Sequence, residues 1–362
     1  MNYTLRTSVY TKQLKNGERD FLGSLLEPII YPEHDYENYL RQIDSVRAQV
    51  QPMFSDIMER KSMSRYRADP VGAIKIENLP TDDDLPLPSV GASRLKRIEK
   101  KTYISENVLT LIATLFGEPY SMFCEGRGLI NNLIPSQTTA SDFTGLGAAS
   151  DLKLHIENSA LRFLTGKDCS PTAMFLLGVK QDANPPYTRL SDTRAALTLL
   201  SPSEINALCK PVYKIRLPYR WRTFREGYDQ ILSPPIALIQ ETVEGLTVNA
   251  AFYGDMIAEY GNAKCERAAK RFEAALDEVA LNEIVTPGEL LCMDNRITLH
   301  ARTPFNATFD AHGRANRWVQ RLFVTDRLDC FAGWESTDNR VFSPTFALET
   351  LRATPLAASA NS

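Results

Sequence analysis

From about Leu129 onward the chain is divided into short apolar runs, Leu129–Ile134, Leu152–Ile156, Met174–Val179, Val212–Leu217, Ile236–Ile239, Leu290–Met293 and Trp318–Thr325, separated by Gly, Pro, Asn and Asp. Many short runs at such spacing build a β-sandwich or an open barrel rather than a helical bundle. Helical periodicity lies mostly upstream. Glu33 to Arg60 places Tyr36, Leu40, Ile43, Val46 and Val50 on one face, and Pro52 should break that helix before Phe54, Ile57 and Met58 resume the stripe. Ala73 to Leu79 alternates as a strand and runs into the loop Pro80–Val90, which holds a triple Asp. Ser105 is placed to cap a second helix burying Val108, Leu111, Ile112, Leu115 and Phe116, with Gly117 closing it. Cys265 to Val279 interrupts the strands with a third helix, carrying Ala268, Phe272, Ala275 and Leu276 on one face.

The expected fold is therefore mainly β with flanking helices. Residues 1–128 read as a helical and strand region packing on the core. Residues 129–345 read as the core, interrupted by a 201–263 insertion that could act as a lid, and 346–362 as a small, polar, flexible tail.

Composition narrows the function. With 362 residues and 43% apolar content, the chain can bury a large core. A net charge of −3 and dispersed basic residues argue against nucleic acid or an anionic membrane as partner. No apolar stretch is long enough for a membrane span, and Met1 to Ser24 lacks a signal-peptide core. The six cysteines lie far apart without a Cys-x-x-Cys, so reduced thiols and a cytoplasmic protein are expected.

Only four histidines occur: His34, His155, His300 and His312. In an extended segment His155 and Glu157 would point the same way, bringing an imidazole and a carboxylate to one spot. His-x-Glu alone is equally a surface or hydrogen-bonded pair. His300 could complete a facial set, at the end of the unit Pro287–Arg296, which reads as turn, buried strand and turn. Two His and one carboxylate on one face leave positions on iron open for a cosubstrate and O2. Downstream, Arg317, Val319, Arg321 and Phe323 would share one strand face. An inward arginine beside a metal is costly unless it meets an anion, and a guanidinium fork matches a carboxylate. A solvent-facing basic strand is the alternative for any one of these arginines.

Taken together, the segments "GAIKIENLPTDDDLPLPSVGA", "GLINNLIP", "LKLHIEN" and "PGELLCMDNRITLHARTPFNATFDAHGRANRWVQRLFVTD", spread from Gly72 to Asp326, resemble the clavaminate synthase-like Fe(II)/2-oxoglutarate-dependent oxygenases, the branch holding the arginine, asparagine and lysine hydroxylases. The resemblance implies a double-stranded β-helix, or jelly-roll, core. It also implies Fe(II) held by His155, Glu157 and His300, with 2-oxoglutarate as cosubstrate and O2 as oxidant. A Gly or Ala at position 157 would have suggested a halogenase; the carboxylate suggests hydroxylation. Strict spacing from His300 places the 2-oxoglutarate arginine at Arg314, but the arginine directly before an aromatic residue is Arg317. A three-residue insertion in the turn Asp310–Ala315 accounts for the offset, so Arg317 is the first choice and Arg314 the second. Thr188 matches a threonine that meets 2-oxoglutarate in relatives.

For the substrate, the resemblance implies a small molecule, an amino acid either free or on a carrier protein, with its amino acid end held by Asn131 and Arg321. Asn249 is the polar side chain where relatives taking cationic substrates carry acids, although Glu241, Glu244 or Asp255 could still supply charge. A neutral or polar side chain is thus favoured over a guanidinium. Three alternatives stay open: desaturation or cyclisation of a natural-product intermediate that is not an amino acid, a non-catalytic jelly-roll binding module, and a zinc hydrolase.

Overall fold

A computed structural model describes residues 5–63, 71–163, 167–242, 245–345 and 348–349. Most of the expected flexible tail, and Glu244, lie outside these residues.

Among the described residues, nine strands form a major sheet. Its spatial order is Ser8–Gln13, Val71–Glu77, Leu290–Asp294, Ala173–Lys180, Trp318–Thr325, Glu118–Met122, Val341–Ser343 and Glu335–Thr337, and Asn131–Leu133 also pairs with Trp318–Thr325. A minor sheet runs Leu281–Glu283, Thr188–Asp192, Thr298–Arg302 and Leu152–His155, antiparallel throughout.

The strand Trp318–Thr325 is buried at every position because both faces of the major sheet are covered. On one face Leu322 and Val324, with Phe175, Leu177, Leu290 and Ile76, pack against the helices Asn16–Leu26, Tyr36–Val50 and Ile104–Thr114. On the other, Val319 and Phe323 join Met174, Leu176, Leu291 and Met293 in a second cluster. Two-sided burial explains why these strands read as unbroken apolar runs rather than alternating ones. The outer face of the minor sheet, Leu299 and Ala301, is closed by Ala268, Phe272, Ala275 and Leu276 of the helix Ala263–Val279. That helix starts on the Asn262 side chain, which accepts from Lys264 and Cys265 backbone N–H groups.

Within residues 1–128, the strands Ser8–Gln13, Val71–Glu77 and Glu118–Met122 all enter the major sheet. Several expectations are corrected. Of Val212–Leu217 only Lys214–Ile215 is strand, and the run Ile236–Ile239 becomes strand only at its last residue. Ser105 is not the helix cap: Ile104–Thr114 begins one residue earlier, and Asp82 of the upstream loop accepts from Ile104 N (2.8 Å) and Ser105 N (3.1 Å). The break at Pro52 appears as a 3-10 turn, Gln51–Phe54, between two α-helices. Free thiols are found at all six cysteines, with Cys209 exposed and the others buried. No described helix is long and apolar enough to cross a membrane.

Candidate metal centre and active site

His155 ends the strand Leu152–His155, and His300 is its direct partner in Thr298–Arg302. Their rings lie 4.2 Å apart between centroids. Just beyond this pair the register slips, Lys153 and Leu154 on one strand facing Ala301 on the other, a bulge that bends the edge beside His155.

Glu157 does not reach the site through strand alternation, as the sequence suggested, because the strand stops at His155. It lies in a turn whose next residue, Asn158, is left-handed (φ 50°). Asn295 fixes that turn: its Oδ1 accepts from Glu157 N (2.8 Å), and its Nδ2 donates to Glu157 O (3.0 Å) and Pro171 O (3.0 Å). One ligand atom from each of His155, Glu157 and His300 lies within 4.8 Å of the other two.

The electrostatics suit a divalent cation. Nδ1 of His155 faces the Lys153 carbonyl at 2.7 Å, which directs a bare Nε2 into the site. Burial, then the neighbouring His300, pushes the His155 pKa down to about 3, so the ring is neutral at physiological pH. Burial alone would raise the Glu157 carboxyl, but Arg321 and His300 outweigh it and hold it below the usual range. Two neutral-capable imidazoles and a carboxylate, converging from one side of a cavity, form a donor set with room for exogenous ligands.

The cavity has two lobes that meet at Glu157 and Arg321. The first, about 470 Å³, is lined from both sheets: Met174, Leu176 and Val319 on one side, Thr188, His300 and Arg302 on the other, with Arg317 in its wall. Arg317 makes no ion pair among the described residues, and its buried Nη1 has no hydrogen-bond partner. Its guanidinium lies 5.3 Å from the Phe305 ring. Burial, then the charge of Arg302, pushes its pKa down to about 10. Arg314 by contrast lies in a surface turn and pairs with Asp310 at 2.7 Å. The two candidates are therefore separated in space: Arg317 and Thr188 share a lobe with His300, and Arg314 does not.

The second lobe, about 330 Å³, is lined by His155, Glu157 and Arg321 and by Glu125, Phe143, Tyr219, Arg220 and Tyr253. The insertion reaches it through Pro218–Arg220 and Tyr253, and is tied to the metal strand by Ile156 N→Ala250 O (3.1 Å) and Phe252 N→Leu154 O (2.9 Å). Arg321 bridges Glu157 (2.5 Å) and Glu125 (2.7 Å).

The other polar residues singled out by sequence are not brought to the cavity wall. Asn131 is buried behind Arg321, whose Nη2 it accepts at 3.2 Å, while its own Nδ2 donates to Ser121 Oγ at 2.8 Å. Asn249 is fully buried, donates to Ala237 O (3.1 Å) and Gln240 Oε1 (3.3 Å), and accepts from Arg162. Asp255 is committed to Arg216 and Arg222, both at 2.9 Å, and Glu241 is exposed on a two-stranded ribbon. The groups that do face the lobe, Glu125 and Arg220, were not picked out. The only sequence signal for them is a charged residue among aromatics, in "YSMFCEG" and "LPYRWR".

With this geometry the relatives can be compared. The family model described as taurine catabolism dioxygenase TauD, TfdA family matches residues 109–323, and the chain belongs to that family of dioxygenases. L-Asparagine oxygenase of Streptomyces coelicolor is 27% identical over 271 residues, covering 73% of this chain and 75% of its own. Among solved structures, asparagine oxygenase with Fe(II), 3-hydroxyasparagine and succinate superposes with a TM-score of 0.75 at 21% identity, over 92% of this chain and 99% of that one. The non-haem iron oxygenase OrfP, in complex with Fe and alpha-ketoglutaric acid, gives a TM-score of 0.73 at 19% identity over 92% of this chain and 100% of that one. The likeness to these structures is one of fold. The resemblance read from the sequence is thus borne out at the level of the family.

Proposed function

We propose that the chain is an Fe(II)- and 2-oxoglutarate-dependent hydroxylase of an amino acid, free or presented on a carrier protein, built on a jelly-roll core with the 201–263 insertion as its lid. The observation that carries this reading is Arg317. A buried guanidinium without an anion is unstable unless a ligand supplies one, and it lines the same lobe as His300. An elongated dicarboxylate fits such a lobe, one end at the metal set and the other on Arg317. The amino acid assignment is supported by the named substrates of the relatives and by the charged second lobe.

In this reading His155, Glu157 and His300 hold Fe(II). The bound metal and its cosubstrate supply oxygen activation, with 2-oxoglutarate leaving as succinate and CO2. The protein's own residues do the rest. Arg317 binds the distal carboxylate through charge-assisted hydrogen bonds, and Thr188 lies beside it to orient the chain. Arg321 keeps Glu157 charged and in place. Phe143, Tyr219 and Tyr253 line the second lobe with ring surface and keep water from the reacting carbon once the substrate fills it. Asn131 positions Arg321 rather than touching the substrate.

The test is metal-dependent turnover. Purified protein with Fe(II), ascorbate, 2-oxoglutarate and a panel of amino acids should release succinate and a product 16 mass units heavier. Succinate release that does not need iron, or hydrolysis supported by zinc, would refute the assignment.

A further inference from the structure

The second lobe carries one cation without an anion of its own. Arg216, Arg220 and Arg222 lie on one short segment of the insertion. Arg216 and Arg222 turn away and share Asp255. Arg220 turns into the lobe. Its nearest carboxylate oxygen among the described residues is Oε2 of Glu125, at 3.8 Å, and that same oxygen already accepts from Arg321 at 2.7 Å. The second Glu125 oxygen accepts from Trp221 Nε1 at 2.8 Å. Asp142 is within reach of the Arg220 field but makes no ion pair with it. Burial pulls the Arg220 pKa down, and Glu125 only partly offsets this.

Charge counting sharpens the point. The guanidinium groups lining the two lobes are Arg220, Arg302, Arg317 and Arg321, and the carboxylates are Glu125 and Glu157. Arg302 is held by the carbonyls of Ala148, Ser150 and Thr303 rather than by an acid. Asp151 and Asp182 partly offset Arg302 and Arg317, and a divalent metal with a dianionic cosubstrate changes nothing in the sum, so the cation left to account for is Arg220. A zwitterionic amino acid with a neutral side chain would also leave it unchanged. Arg321 still holds Glu157 and Glu125, but its Nε has no hydrogen-bond partner and can take the substrate's α-carboxylate, while Glu125 faces its ammonium. Arg220 then lacks a partner.

We infer that Arg220 is a specificity-determining residue that pairs with an anionic group on the substrate's side chain, so that the preferred substrate is an acidic amino acid. The inference rests on the amino acid reading above and deepens it. A cationic side chain is disfavoured by the same guanidinium.

Binding can be separated from turnover by loading the protein with Zn(II) and 2-oxoglutarate and following thermal stabilisation and calorimetric titration. The ligands are L-aspartate against L-asparagine, L-glutamate against L-glutamine, and L-arginine. One acid should bind about tenfold or more tighter than its amide, the worth of a charge-assisted hydrogen bond. Arg220→Gln should erase that ratio by weakening the acid far more than the amide, Arg220→Lys should restore part of it, and Arg220→Glu should move preference toward L-arginine. An amide that binds as well as its acid overturns the inference. So does an Arg220→Gln variant that weakens acid and amide equally, since Arg220 would then be reading the α-carboxylate. The 2-oxoglutarate signal reports folding of each variant, and if Arg220→Gln does not fold, the wild-type pairs decide alone. If no amino acid binds while 2-oxoglutarate does, the amino acid reading itself has failed, and this inference with it.

Discussion

Asn295 holds the peptide of Glu157 from both sides, accepting its N–H at 2.8 Å and donating to its carbonyl at 3.0 Å. Both groups are buried, so neither bond can be replaced by bulk water. The carboxylate that completes the metal set is thus placed by an amide from the strand-end turn after Leu290–Asp294, on the opposite sheet from His155 and His300.

Asn295→Ala should therefore lower metal affinity by roughly 10–100-fold while the three ligands stay intact, the usual effect of removing a group that orients a ligand. Calorimetric titration of the metal-free protein with Mn(II) or Fe(II) measures it. Unchanged affinity would mean that the turn holds Glu157 without the amide.

The metal set itself gives the second prediction. His155→Ala, Glu157→Ala and His300→Ala should each remove iron binding and succinate release, with circular dichroism unchanged. His34 is exposed and pairs with Asp338 and Lys96, and His312 lies in an exposed turn. Their alanine variants should bind iron and turn over normally. Iron retained by any triad variant at wild-type affinity would displace that residue from the set.

Much of this was readable in the chain, for identifiable reasons. The triad was legible because histidine is scarce and because His155 and His300 both fall in strand-forming runs. The route of Glu157 was not, because period-two alternation says nothing about a strand that stops one residue early. Arg317 was separable from Arg314 by its aromatic neighbour, since a strand holds its register where a turn can lengthen. Asn131 and Asn249 are buried and bonded to what lies behind them, Ser121 and Arg321 or Ala237 and Gln240, which a polar letter beside an apolar run does not reveal. Glu125 and Arg220 escaped notice because they meet only when the insertion folds over the end of the strand Glu118–Met122. Sequence distance hides such contacts.

A third prediction concerns the helix behind the site. Asp82 caps Ile104–Thr114 and pairs with Lys100 at 2.6 Å, both side chains 1% exposed. Lys100 also meets Glu106, whose other oxygen accepts from Gln320 beside Arg321. Asp82→Ala should cost about 3–5 kcal/mol by leaving Lys100 buried with fewer partners, whereas Ser105→Ala, which removes hydroxyl bonds with Lys100 and Glu106, should cost about 1.5–3 kcal/mol. Burial opposes the Asp82 charge, yet Lys100 and the Ser105 bonds win, so its folded pKa lies below the usual 3.8. The unfolded chain then binds the proton first. Asp82 stabilises the fold fully above pH 3.8, and this contribution fades as pH falls through the lower folded value. Denaturant midpoints of wild type and Asp82→Ala should converge on acidification. A constant gap would show that the carboxylate is not the titrating group.

The last prediction sets the two arginines against each other. Arg317→Met removes a buried charge that has no ion pair among the described residues until ligand binds, so the ligand-free protein should be as stable as wild type or more so. The same change should raise the Michaelis constant for 2-oxoglutarate at least about a hundredfold, from the roughly 3–5 kcal/mol that a lost buried pair costs, with a much smaller effect on the amino acid. Arg314→Ala breaks only the surface pair with Asp310, and both its stability and its Michaelis constants should match wild type within error. Melting curves with and without 2-oxoglutarate, run beside the kinetics, give opposite signs for Arg317→Met in the two states. If Arg314→Ala instead carried the 2-oxoglutarate defect, the surface turn would have to close onto the cavity, and strict spacing from His300 would be the better guide.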